Sequence, residues 1–140
     1  MRKVPEGCAR ITPGLVYEDA PAAIDFLCRA FGFETRLKVE GGPGVIVHSE
    51  LVFGEGVIMV NSLKKLRERQ PGASADPGSS YLMVYVDDVD AHCERARAAG
   101  AKISSEPRTT DYGDDYWTER GYGAVDPEGH TWWFAQRVKG

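Results

Sequence analysis

His48 and Glu50 stand two residues apart inside an apolar stretch running from Val45 to Phe53. In a strand that spacing puts both side chains on one face. An imidazole and a carboxylate placed so could grip one metal ion or share one proton. A metal would need a third donor. His130, which follows the turn Pro127-Glu128-Gly129, is the candidate, or else an acid from a loop. The plainer reading has His48 hydrogen-bonded within its sheet and His130 steadying its turn. His92 falls on a helix beside an apolar stripe. Cys8, Cys28 and Cys93 make no C-x-x-C spacing, and the last two sit on apolar helix faces, where a thiol acts as a small hydrophobe. Gly41-Gly42-Pro43-Gly44 joins two strands and reads as a turn rather than a phosphate cradle. No nucleophile elbow is present.

The aromatic residues point to binding rather than bond-making. Tyr81, Tyr85 and Trp133 are expected on a concave sheet face with Met59 and Met83 beside them, while Trp132 and Phe134 face helices. Tyr112, Tyr116 and Trp117 fall in a polar stretch that could cover a pocket mouth. Each aromatic ring buries about 150–250 Å², and methionine adapts its shape to irregular partners. Such a lining suits a flat or apolar small molecule; ordinary core filling is the competing account. Arg120 stands between Trp117 and Tyr122. Facing the pocket, it would anchor a carboxylate or phosphonate. Facing solvent, it would pair with Glu119 or Asp126.

The elements that must position these side chains occur twice. Leu15-Val16-Tyr17-Glu18-Asp19 leads into a helical stretch ending at Phe31-Gly32-Phe33. Val84-Tyr85-Val86-Asp87-Asp88 leads into another, ending at Ala99-Gly100-Ala101. Each half closes on a glycine turn and an apolar strand, Val57 to Val60 and His130 to Phe134. A repeat of this length means two similar units. Each reads as β-α-β-β-β, giving an α+β fold of two curved half-barrel sheets with helices outside and a pocket between them. Strands are expected over 10–17, 34–40, 45–53, 57–61, 80–86, 102–106, 120–126 and 130–136. Residues 108–119 are expected to be irregular. Ala20, Ile24, Leu27, Cys28 and Phe31 make one helical stripe, and Val89, Cys93 and Ala96 a narrower one. One domain covers 1–140, with module 1 over about 10–62, a mobile surface linker over 63–79 and module 2 over about 80–137.

Composition narrows the class. The 140 residues carry a net charge of −4, which disfavours a nucleic-acid surface. No run approaches the roughly 18 apolar residues of a membrane helix, and no signal-peptide pattern opens the chain. A cytoplasmic location follows as the expectation.

Two stretches, Tyr17 to Phe26 with Phe31-Gly32-Phe33-Glu34, and Asp126 to Trp132, together resemble the vicinal oxygen chelate superfamily of glyoxalase I, extradiol dioxygenases and bleomycin- and fosfomycin-resistance proteins. The resemblance implies paired β-α-β-β-β modules and, in many members, a divalent metal held by the first and last strand of each. Those ligand positions fall on Thr12, Met59, Tyr81 and Trp133; shifted by two residues they fall on Gly14, Val57, Met83 and Thr131. Neither set supplies imidazole, carboxylate or thiolate. The resemblance therefore implies the bleomycin-resistance-like branch: metal-independent binding of a small aromatic or apolar molecule, with antibiotic sequestration as one form, no cofactor and no catalytic residue. The expected ligand-binding residues are Met59, Tyr81, Met83, Trp117, Arg120 and Trp133, in a homodimer. The alternatives are a divalent-metal lyase, isomerase or dioxygenase using His48, Glu50 and His130, or a protein-interaction module.

Overall fold

The computed structural model describes all 140 residues. In chain order it contains β1 (Gly14–Tyr17), α1 (Ala20–Phe26), a π-turn (Leu27–Phe31), β2 (Glu34–Glu40), β3 (Ile46–Phe53), β4 (Gly56–Ser62) and α2 (Leu63–Arg69). The second half contains β5 (Tyr81–Tyr85), α3 (Val89–Ala98), β6 (Lys102–Asp111), β7 (Thr118–Val125) and β8 (Thr131–Lys139). The repeat is real: two open sheets share one strand order, β1-β4-β3-β2 and β5-β8-β7-β6. In each, the first strand pairs parallel with the last and all other pairs are antiparallel. Packing divides the chain into two units, Met1–Cys28 with Gly32–Ala75, and Arg29–Phe31 with Asp76–Gly140.

Both helices start as their sequence dictates. The Asp19 carboxylate accepts from the Ala22 N–H and the Asp88 carboxylate from the Ala91 N–H, each at 3.1 Å. Pro21 occupies the first turn of α1, where no N–H is needed. After Phe26 the helix widens into the π-turn, which rotates its later residues. The buried set also includes Ala23 and Phe26 on α1 and Ala30 in the π-turn, where Cys28 is only half-buried, beside the Thr35 hydroxyl at 3.6 Å. Gly32, at φ 90°, ends the segment in the left-handed conformation that favours glycine.

Three expectations need correction. The first strand begins at Gly14, so Thr12 lies in the lead before it. The strand expected to stop at Glu106 continues to Asp111. It runs past Pro107 because β6 is an edge strand and shifts register between Ser105 and Arg108, where a residue lacking its N–H is tolerated. The 63–79 connection opens with helix α2, which buries Leu63 and pairs Lys65 with Glu68 at 2.8 Å.

Strand β8 organises the second unit. Trp132 and Phe134 turn to the face that carries α3 and pack on Phe31, at ring separations of 5.4 and 4.8 Å. The turn before β8 is tied by Asp126. This buried carboxylate accepts from the N–H groups of Glu128 and His130 and from the Trp132 indole. His92 stands on α3 in the same layer, 4.4 Å from the Phe134 ring. Its Nε2 lies 2.7 Å from the Phe31 carbonyl and its Nδ1 2.6 Å from the Tyr122 hydroxyl. A carbonyl only accepts, so Nε2 carries the proton and Nδ1 accepts from Tyr122. That is a neutral ring. Burial, foremost, and the Arg95 charge lower the His92 pKa from its ordinary 6.5, against the pull of the Phe31 carbonyl. Burial likewise raises the Tyr122 pKa.

A depressed histidine pKa stabilises the fold fully above about pH 6.5, and that contribution is lost as pH falls from there through the folded-state value. Urea midpoints taken from pH 7.5 to 5.5 should therefore decline in the wild type. His92→Gln can keep both hydrogen bonds without titrating, and should flatten that decline.

Candidate functional site

The side of the second sheet turned away from α3 carries the other half of the aromatic pattern. Tyr81, Met83, Trp133 and Gly123 share it, since Met83 and Gly123 flank Trp133 in register. Two glycines alternate with Tyr122 on β7 and leave a bare floor. A Cβ on Gly121 would lie 2.7 Å from the Trp133 ring and one on Gly123 2.8 Å from the Ser104 hydroxyl. The indole lies over that floor because no side chain rises from it. Beside it opens a cavity of about 430 Å³, lined by Tyr81, Met83, Ser104, Tyr112, Thr131 and Trp133 among others. The lining is mainly aromatic and thioether, with the hydroxyls of Ser104 and Thr131 beside the phenols of Tyr81 and Tyr112 able to orient a ligand. Pockets of this size take small organic molecules.

The structure brings together three of the six residues expected to bind ligand: Tyr81, Met83 and Trp133. Trp117 stands one ring behind, its centroid 5.8 Å from that of Tyr112, and its indole N–H donates to Glu119 at 3.0 Å. Arg120 is on the other side of the sheet, by the same alternation that puts Tyr122 against α3. It bonds both carboxylate oxygens of Asp90, at 2.7 and 2.8 Å, rather than Glu119 or Asp126. That pair lowers the Asp90 pKa and raises that of Arg120. Asp126 is unavailable to Arg120 because it is committed to its turn. Met59 belongs to the first unit, opposite Glu50 and beside Gly14. Tyr112, Ser104 and Thr131 join the lining without having been singled out as ligand residues. The Gly-x-Gly spacing of β7 was the readable signal for the floor.

The first unit carries a different set. His48 Nε2 lies 2.9 Å from Glu50, whose other oxygen is 3.4 Å from Arg36. Arg36 reaches Glu50 because β2 shifts register beside it, and it also donates to the carbonyls of Glu6 and Gly7. The third member of this group is thus a cation where a metal site wants another donor. Within neither unit do three His, Cys, Asp or Glu side chains converge. Thioether, phenol and indole occupy the other expected positions, at Met59, Tyr81 and Trp133. These residues do not fit a divalent ion.

The family model for the Glyoxalase/Bleomycin resistance protein/Dioxygenase superfamily matches residues 9–134. An uncharacterized protein of Mycobacterium bovis is 34% identical over 135 residues, covering 92% of this chain and 84% of its own. TioX from Micromonospora sp. ML1 superposes with a TM-score of 0.70 at 31% identity, over 91% of this chain and 95% of its own. A glyoxalase-related enzyme from Fulvimarina pelagi gives a TM-score of 0.67 at 22% identity, over 91% and 88%, a likeness of fold.

Gly121→Ala should displace the Trp133 indole, shifting tryptophan emission and near-ultraviolet dichroism and costing about 1–3 kcal/mol as overpacking. Gly72→Ala, where a Cβ meets open space, should leave both spectra unchanged.

Proposed function

Since the chain belongs to the Glyoxalase/Bleomycin resistance protein/Dioxygenase superfamily, we propose that it binds a small aromatic or apolar molecule without a metal ion. The observation that carries this reading is the aromatic cavity beside Trp133. Tyr81 and Trp133 offer ring faces for stacking, and Met83 adjusts to the ligand's outline. Ser104 offers a hydroxyl that donates or accepts, and Thr131, whose hydroxyl donates to the Ser80 carbonyl, offers an acceptor, which fixes orientation more than affinity. No carboxylate, imidazole or thiol lines the cavity to activate its hydroxyls. Capture rather than turnover is the reading we favour, with sequestration of an aromatic antibiotic by a homodimer as its form.

The His48–Glu50 pair is the observation that would support an enzyme instead. Its arrangement with Arg36 suits a structural ion-pair group. Glu50 is the shared acceptor, so a metal taking its oxygens would have to displace Arg36.

Planar aromatic compounds titrated into the protein should quench tryptophan emission in the presence of chelator. Trp133→Ala or Met83→Lys should weaken that binding about tenfold or more, as expected for loss of a ring contact or burial of a charge. Metal content near one ion per chain, lost in His48→Ala, would move the function to the first unit. Light scattering tests the dimer.

A further inference from the structure

We propose that the ligand of the Trp133 cavity is a planar aromatic cation, its charge delocalised or quaternary, held by ring faces rather than by a carboxylate. This deepens the cavity reading and rests on it.

The rings of Tyr81, Tyr112 and Trp133 line the cavity. One side of the Trp133 indole covers the glycine floor, where a Cβ on Gly121 would meet Cζ2, Cε2 and Nε1 at 2.7 to 2.8 Å. Three adjacent ring atoms at nearly one distance mark contact with a face. The indole therefore lies along the sheet and turns its other face to the cavity. On the α3 side of the sheet, Phe31, Trp132 and Phe134 pack on one another. Tyr81 and Tyr112, by contrast, are 66% and 54% exposed. The face of an aromatic ring carries the negative part of its quadrupole. It attracts a cation and offers an anion nothing.

The surrounding charge has the same sign. No Lys, Arg or His lines the cavity. Tyr112 belongs to the stretch from Thr109 to Thr118, which carries Asp111, Asp114 and Asp115, all exposed, and no base. Arg137 lies outside the lining, its guanidinium stacked on the Trp117 ring and bonded to Tyr85 and Gly140. A cation in the cavity thus finds ring faces around it and carboxylates beside one wall. None of those carboxylates enters the lining, so a primary ammonium, compact and strongly hydrated, would lose its water without gaining an ionic partner. A charge spread over a ring system gives up less hydration and needs no acceptor. The flat floor of glycine and indole selects planarity.

The probes are acridine, 10-methylacridinium and acridine-9-carboxylate, one ring system that is neutral, positive and negative in mildly alkaline buffer. Each is titrated into the protein by calorimetry with chelator present. 10-Methylacridinium should bind about tenfold more tightly than acridine, as expected of a cation over ring faces, and the carboxylate should bind more weakly than either. Salt should narrow the cation's advantage without abolishing it, since the exposed acids are screened and the ring contacts are not. Tyr81→Leu, at a side chain too exposed to support the core, should cut that advantage about threefold, and Tyr81→Phe, which keeps the ring, should retain it. Trp133→Leu should remove most of the remainder. Equal binding of cation and neutral probe, tighter binding of the carboxylate, or an advantage that survives both leucine variants overturns the inference and leaves the cavity reading standing. Binding by none of the three overturns the cavity reading and the inference with it.

Discussion

The register of β8 governs the second unit. The strand is bonded on both edges, parallel to β5 and antiparallel to β7. Its residues Thr131-Trp132-Trp133-Phe134 alternate between faces, so one residue of slip would exchange core for cavity. Trp132 and Phe134 would lose Phe31, and Trp133 would be driven into the layer of α3. Asp126 pins this register from the preceding turn, since its carboxylate binds the turn's amides and the indole of Trp132 together. The neutral His92 ring completes the same layer.

Two units with one topology have diverged in chemistry. At the position that Trp133 takes in the second, the first has Met59, and opposite them stand Met83 and Gly14. The first unit collects His48, Glu50 and Arg36 on one side of its sheet; the second collects rings around a floor of glycines. Folding requires the common pattern of buried strands and capped helices. It leaves the side of each sheet opposite its helix free to vary, and that side is where the candidate chemistry lies.

Charge placement follows the strands as well. Alternation sends Arg120 to the helix side, where Asp90 neutralises it across both oxygens. Alternation along β8 keeps Arg137 on the side of Trp133, where its guanidinium stacks on the Trp117 ring and bonds Tyr85 and Gly140.

Sequence by itself determined the repeat, the β-α-β-β-β order, the helix starts at Asp19 and Asp88, and the facing of Trp132, Trp133 and Phe134. These depend on local rules: a side-chain cap, a glycine stop and two-residue alternation. It also brought Tyr81, Met83 and Trp133 to one surface, because alternation plus strand order suffices. Tertiary structure alone decided the partner of Arg120, the entry of Ser104 into the cavity wall and the continuation of β6 past Pro107. Each depends on what a distant strand or helix offers, or on an edge position that no local pattern reveals. The floor beneath Trp133 is the intermediate case. Gly121 and Gly123 are visible in the chain, but their purpose appears only when β8 lays an indole across them.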